Sequence, residues 1–583
     1  MESANERGEG SEDKPGDEYT GPVVPWLIPG TGKGSEEVLD GSIVDRPVRE
    51  GEQAGTSDDD YELLGTVISD GDSPTFQEIH FRLTADQAVS PGEFVAVEGR
   101  DRQGSLGCWV LCRVLNVHEI NPHEDPQSAT VRDVLPFDST YATEGESTVI
   151  YRLVRCEPIE ELPVVGRNVG DPTEIRTLPR AGDAVVRARP GMVTAAMGFP
   201  ADPDDGLHMG SLHGEGSIPV TLDKGAVQRH ILIVGGIGSG KSYTRGVLGE
   251  ELHRLGAPQV NIDVNGEMIE AALQMGGINV KPGAGFTLPL GSLTREDLLD
   301  AVSGVNRGTN IETLIGYTFD VLRREIGQGR RGAFSVDDLV EELGRQAPHL
   351  KMEDARTLRP AEQRVKALER LDYIGRRFDW VGTLRPGAFV NIDCRGRLLG
   401  DLRVIVAAVA RDLQDLARQK KIPFTVLSID EFHLVAPNDD KIVSTQVLRE
   451  IARIGRHYRL GLVLTTQSPA DVDRSVLKRL LTRFVHAIEP DQLESLRGIF
   501  ADAPAEMIRS LPKLPQGVCV LTGVAETVRH AAVVDVRERV TAHGGATPDA
   551  FGDLRERGWP GKKPLSDILD QDRRENGDDG HVS

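Results

Sequence analysis

The chain has 583 residues, too many for one hydrophobic core, and its 39% hydrophobic content is enough to fold more than one domain. It carries 67 Lys and Arg against 91 Asp and Glu, a net charge of −24, so a nucleic-acid partner would have to be met by local basic surface rather than by the total. No apolar run of about 18 residues is present to span a membrane, and no apolar signal segment follows the acidic start, so a cytoplasmic protein is expected.

Within the cations, 14 Lys stand against 53 Arg. Low lysine with surplus carboxylate resembles the composition of proteins from salt-loving archaea. The five cysteines (Cys108, Cys112, Cys156, Cys394 and Cys519) form no Cys-x-x-Cys pair, so buried, reduced thiols are expected rather than a zinc site or a disulfide framework.

Residues 1–60 hold 16 Asp and Glu against 5 Lys and Arg among many Gly, Pro and Ser, a composition that reads as a disordered acidic tail. One apolar patch interrupts it, Pro22-Val-Val-Pro-Trp-Leu-Ile-Pro29, either a solvated cluster or a short docking motif. Over 61–195, short apolar runs recur between Gly-, Pro- and Asp-rich turns: Leu63–Val67, Phe94–Val97, Trp109–Val114, Thr148–Val154 and Ala184–Ala188. That spacing predicts a small antiparallel β-barrel or sandwich.

From Arg229 the texture becomes alternating strand and helix, which predicts an α/β core spanning 196–293 and 386–550. Strands are expected at Ile231–Val234, Val260–Val264, Phe389–Ile392, Phe424–Ile429, Leu460–Thr465 and Phe484–Ala487, with a helix at Lys241–Leu255. Residues 294–385 read as a helical insertion, Gly517–Leu521 with Ala531–Val536 as a closing hairpin, and 551–583 as a polar tail.

The strongest chemical signal is Gly235-Gly236-Ile237-Gly238-Ser239-Gly240-Lys241-Ser242, which fits G-x-x-x-x-G-K-[ST] between a strand and a helix, with Tyr243 next in line. Glycines let the loop wrap so that backbone N–H groups face phosphate oxygens, and the helix N-terminus adds a favourable dipole. Lys241 is placed to reach the β- and γ-phosphates of ATP, and Ser242 to ligate Mg2+. The Lys-Ser pair and the wrong glycine register speak against a Rossmann dinucleotide site.

Phe424-Thr-Val-Leu-Ser-Ile-Asp430-Glu431 is an apolar strand ending in two carboxylates. Asp430 suits the magnesium shell and Glu431 the general base that polarises water. An adjacent glutamate marks hydrolysing ATPases with an extra central strand. Gln467, at the end of the next strand, is positioned to sense the γ-phosphate or orient water, or it ends an ordinary turn before Pro469. Asp263 and Glu267, after the strand that follows the P-loop helix, fall where open parallel sheets bind ligands, or they form a structural turn. Arg449, Arg453 and Arg456 share a helix face at i, i+4, i+7, either a solvated basic face or an arginine finger.

In this order the motifs resemble the HerA-type archaeal DNA translocases of the HerA/FtsK group, over roughly 61–550. The similar segments are Arg229-His230 before the P-loop, Ile262-Asp263-Val-Asn-Gly266-Glu267, and Ile429-Asp430-Glu431-Phe432-His433 with Phe where Ala is usual. They continue in Gly455-Arg456-His457-Tyr458 with His for Lys, Gln467-Ser-Pro469, and the closing Arg537-Glu-Arg539-Val-Thr-Ala-His543-Gly-Gly545. The resemblance implies an N-terminal barrel, a RecA-like core with a helical insert, and a hexameric ring threaded by double-stranded DNA. It also implies a NurA-type nuclease partner in end resection. Carried over by residue, Lys241, Asp263, Glu431, Arg456 and Gln467 form the functional set. A defence ATPase, a conjugation or secretion motor, and a non-catalytic nucleotide-binding scaffold are the competing readings. Intact Lys241, Asp430 and Glu431 argue against the last.

Overall fold

Apolar alternation and tight turns close the first part of the fold into a barrel. Its strands are β1 (Leu63–Val67), β2 (Ile79–Leu83), β3 (Phe94–Arg100), β4 (Leu106–Ile120), β5 (Tyr151–Val165), the short β6 (Asn168–Val169) and β7 (Ala184–Arg187). The order is β2-β1-β7-β3-β4-β5-β6, and a further β2–β5 pairing closes the ring of six. Register shifts between Leu111 and Cys112 and between Val114 and Asn116 bend the long β4–β5 pair, as bulges do. Leu64, Phe81, Val95, Val97, Val110 and Val154 fill the interior.

The computed structural model describes residues 61–120 and 151–544, apart from 70, 72, 102, 166–167, 201, 303–304, 440–441, 497, 499–502 and 525–526. The acidic segment 1–60 with its Pro22–Pro29 patch, Gly545 and the 551–583 tail lie outside the described residues. All five cysteines are buried and free. No helix among the described residues is long and apolar enough to cross a membrane.

Helix α1 (Pro190–Met197) leads from the barrel to a hairpin of β8 (Leu207–Leu212) and β9 (Glu215–Leu222). Two polar contacts tie the barrel to the core: Arg113 Nη2 donates to the Ala531 carbonyl at 2.5 Å, and His530 meets Glu160 at 2.9 Å.

The core sheet contains β10 (Ile231–Val234), β11 (Gln259–Asp263), β12 (Ile278–Pro282), β13 (Gly285–Phe286), β14 (Phe389–Asp393), β15 (Thr425–Ile429), β16 (Leu460–Thr466), β17 (Thr482–Val485), β18 (Val518–Gly523) and β19 (Ala532–Val536). Its order is β13-β12-β14-β11-β15-β16-β10-β17-β18-β19-β8-β9. The pairs from β12 to β17 are parallel; β17–β18, β18–β19, β19–β8 and β8–β9 are antiparallel. Strand β16 therefore lies between β10 and β15, the extra central strand that Asp430-Glu431 implied. All three central strands are fully buried: β10 is apolar throughout, and β15 and β16 are apolar but for small Thr, Ser and Gly residues, as strands covered on both faces require.

Helix α2 (Lys241–Arg254) follows β10, and α3 (Ile269–Gln274) follows β11. Between β13 and β14 the chain forms α4 (Arg295–Ala301), α5 (Asn310–Gly327), α6 (Val336–His349), α7 (Leu358–Lys366) and α8 (Trp380–Thr383). Capping boxes at Thr294–Asp297 and Ser335–Asp338 start α4 and α6. Helices α9 (Leu399–Arg418) and α10 (Val443–Ile454) flank β15.

Candidate functional site: a P-loop facing two acidic strand ends

The loop after β10 turns through Gly238 at φ +73 and Gly240 at φ +113, angles that favour glycine. At Gly235 the limit is space: a Cβ there would lie 2.5 Å from Ser239 Oγ and 2.6 Å from His486 Cβ. Gly240 caps α2 without any side chain, so the first N–H groups of the helix have no side-chain acceptor. Lys241 is buried and donates from Nζ to the Gly236 carbonyl at 2.8 Å. Burial pulls its pKa down, and Glu431, Asp430 and Glu267 oppose that.

The parallel register brings the ends of β11 and β15 beside this loop. Asp430 is buried, receives the Glu431 N–H at 3.0 Å and the Asn265 amide at 3.2 Å, and has its pKa pushed up to about 6 by burial, with Arg245 pulling the other way. Glu431 holds φ 45, ψ 48, a left-handed conformation that costs a non-glycine residue free energy and places its carboxylate at the turn after β15. Its Oε2 lies 3.3 Å from His433 Nδ1 and accepts no hydrogen bond.

Asp263 is fully buried and engaged: Oδ1 accepts from the N–H groups of Gly266 and Glu267, and Oδ2 from Met268 N–H and the Asn391 amide. It organises the Asn265–Met268 turn, and Glu267 is the carboxylate that this turn presents. Gln467 follows β16 and, with Gly236–Ser239, Ile488, Asp491 and Gln516, lines an open cleft of about 570 Å³.

The three arginines do not form one helical row. Helix α10 ends at Ile454, and Gly455–Tyr458 is a 3-10 turn, so the α-helical spacing that would align position 456 with Arg449 and Arg453 stops before it. Arg449 pairs with Asp473 at 2.5 Å, whereas Arg453 is exposed. The turn stands at the N-terminal end of β16, seven residues from the end beside the P-loop. At about 3.3 Å per residue that is roughly 23 Å.

Sequence reasoning missed three features. Arg245, one turn beyond Lys241, is buried beside Asp263, Glu267 and Asp430. His486 accepts from Thr244 Oγ1 at 2.8 Å and meets the Val518 carbonyl at 3.1 Å, bracing α2 from beneath. Residues 537–544 form a strap over α2: Arg537 reaches Glu250 and Glu251 at 2.8 Å, Thr541 reaches Glu250 at 2.7 Å, and the Arg539 N–H donates to the Tyr243 hydroxyl at 2.7 Å. Only the Arg–Thr–His spacing of the closing motif signalled the strap.

Residues 207–413 match the family model for the central domain of helicase HerA. A DNA double-strand break repair helicase HerA from Sulfolobus acidocaldarius is 22% identical over 336 residues, 54% of this chain and 66% of that protein. The counterpart from Pyrococcus furiosus is 21% identical over 551 residues, 84% of this chain and 95% of that protein. Among solved structures, VirB4 of Thermoanaerobacter pseudethanolicus aligns with a TM-score of 0.47 and 15% identity, over 57% of this chain and 96% of that one. P-loop, Asp430-Glu431 and the intervening β16 together make the site that of an ATP hydrolase.

Proposed function

We propose that this chain, a P-loop ATPase of the HerA type, spends ATP hydrolysis on moving double-stranded DNA through a homo-hexameric ring, in end resection or repair beside a NurA-type nuclease. The observation that carries the reading is the convergence of Lys241, Glu267, Asp430, Glu431 and Gln467 on the carboxyl edge of β10, β11, β15 and β16, in a chain whose residues 207–413 match the HerA central domain.

The residues present fit ATP with magnesium. The uncapped N–H groups of α2 and the Gly235–Ser242 backbone, together with Tyr243, would receive the phosphates, and Ser242 and Asp430 would hold the metal. Among the described residues no three His, Cys, Asp or Glu are arranged to hold a metal alone, which suits an ion that takes phosphate oxygens as further ligands. Bound magnesium supplies charge neutralisation to the phosphates. Lys241 exchanges its Gly236 carbonyl for phosphate oxygens by side-chain rotation. Glu431, its Oε2 free of hydrogen bonds, draws a proton from the attacking water, and Gln467 orients that water across the cleft. Asp263 and Glu267 shape the wall opposite.

Arg456, with Arg453 as its neighbour, serves the adjoining subunit. The turn that holds it is about 23 Å from its own P-loop, so its use is at the far side of a subunit boundary. The test combines particle mass with ATPase rate, with and without double-stranded DNA, in molar salt. Lys241→Ala and Arg456→Ala should each be inactive, and mixtures should recover activity, because mixed rings contain interfaces where an intact P-loop meets an intact arginine. A monomeric mass, no stimulation by DNA, or no recovery at any mixing ratio with subunit exchange verified would each overturn the ring reading.

A further inference from the structure

Arg245 and Lys241 lie one turn apart on α2, so both project from one helix face toward the ends of β11 and β15. The Arg245 side chain is 1% exposed, with Nη2 3.8 Å from Asp263 Oδ1 and 3.6 Å from Glu267 Oε2, and Nη1 3.7 Å from Asp430 Oδ1. Those separations are too long for hydrogen bonds. Nε, Nη1 and Nη2 all lack hydrogen-bond partners, and so does Glu267 Oε2. A buried guanidinium ordinarily forks onto a carboxylate, and one that donates to nothing is costly. The geometry is that of a charge shared among alternatives, not a locked pair.

The formal charges tell the same story. Three carboxylates, Asp263, Glu267 and Asp430, lie 3.6–3.8 Å from the one guanidinium, so Arg245 alone does not neutralise them.

We propose that Arg245 is a positioning residue that lends its charge to Asp430 while no metal is bound and closes onto Glu267 when magnesium takes Asp430. Glu267 Oε2, 3.6 Å away and free, is the receiving oxygen. Arg245 thus competes with the metal for Asp430 and sets the Mg2+ concentration at which nucleotide binds tightly. The inference rests on the ATP-and-magnesium reading of the site.

The test is binding of a fluorescent ATP analogue to the full chain, titrated with Mg2+, with no turnover measured. Arg245→Met removes the competing charge, so the Mg2+ midpoint should fall about tenfold or more, and metal-free binding should weaken. Arg245→Lys should return the midpoint to within about twofold of the native chain, because charge and not shape sets it. Glu267→Gln removes the receiver, and the midpoint should rise. A folded Arg245→Met protein with the native midpoint overturns the proposal. Should Arg245→Met not fold, an unchanged midpoint in Glu267→Gln overturns it. Failure of the underlying reading is distinguishable: the native chain would then bind the analogue with no Mg2+ dependence, or Lys241→Ala would bind it as well as the native chain.

Discussion

Replacing His486 with Asn should flatten the acid side of the protein's stability curve. The ring is wholly buried between Thr244 Oγ1 at 2.8 Å and the Val518 carbonyl at 3.1 Å. A carbonyl only accepts, so Nδ1 carries the proton and Nε2 takes the Thr244 hydroxyl; a second proton would break the Thr244 bond and place a cation near Lys241. Burial first, then Lys241, push the pKa from 6.5 down to about 4. Between those values the unfolded chain binds the proton and the folded chain does not, so stability rises with pH, is fully present above 6.5 and is lost as pH falls toward 4. At about 1.4 kcal/mol per pH unit, the linkage integral between pH 7 and pH 5 is about 2 kcal/mol for this one histidine. His230, also lowered to about 4 by burial, adds a like amount, while Asp430, raised to about 6, works in the opposite direction, so the variant should lose about 2 kcal/mol of the native difference between pH 5 and pH 7 and keep the rest. Urea unfolding of the native chain and His486→Asn at pH 5, 6 and 7 measures it. Parallel curves for the two proteins across that range would refute the argument.

Glu431→Gln should bind ATP normally and hydrolyse it about 10²–10⁴ times more slowly, measured as bound nucleotide against phosphate release. Gly246→Ala should loosen the C-terminal strap, since its Cβ would lie 2.2 Å from Arg539 Cζ. Limited proteolysis should then cut faster within 537–544 and unchanged in the barrel, at a stability cost of about 1–3 kcal/mol. Arg113→Met removes the buried donor to the Ala531 carbonyl, a loss of about 1.5–3 kcal/mol. Hydrogen exchange should quicken along β19 and not along α2.

Local chemistry made much of the core readable. The strand, glycine loop and helix at 231–254 carry their own signal, because the loop needs φ values only glycine takes cheaply and the strand is apolar throughout. The β18–β19 hairpin and the helical insertion were legible for the same reason: period and breakers are local. The β8–β9 hairpin was not foreseen, although Leu207, Met209, Ile218, Val220 and Leu222 alternate around Gly214. Its placement depends on β19, more than 300 residues later in the chain, and on Gly210, where a Cβ would lie 1.9 Å from the Asp535 carbonyl oxygen. No window of sequence contains both partners.

The site divides along the same line. Lys241, Ser242, Asp430 and Glu431 stand out in the sequence because each belongs to a motif contained in its own turn. Asp263 was expected to face nucleotide or to form a structural turn; its oxygens accept from the N–H groups of Gly266, Glu267 and Met268 in the turn that holds Glu267, and Asn391, on a strand that arrives after the helical insertion, adds a fourth bond. Arg245 reads in sequence as one more helix arginine in a chain with 53. What buries it is the parallel register that sets Ile262 beside Ile429 and so brings Asp263 and Asp430 to one place. A charge that is unremarkable on an isolated helix becomes the counter-ion of a carboxylate cage only once β11 and β15 are paired. The topology of the sheet, not the motif, therefore determines which cation stands beside Asp430.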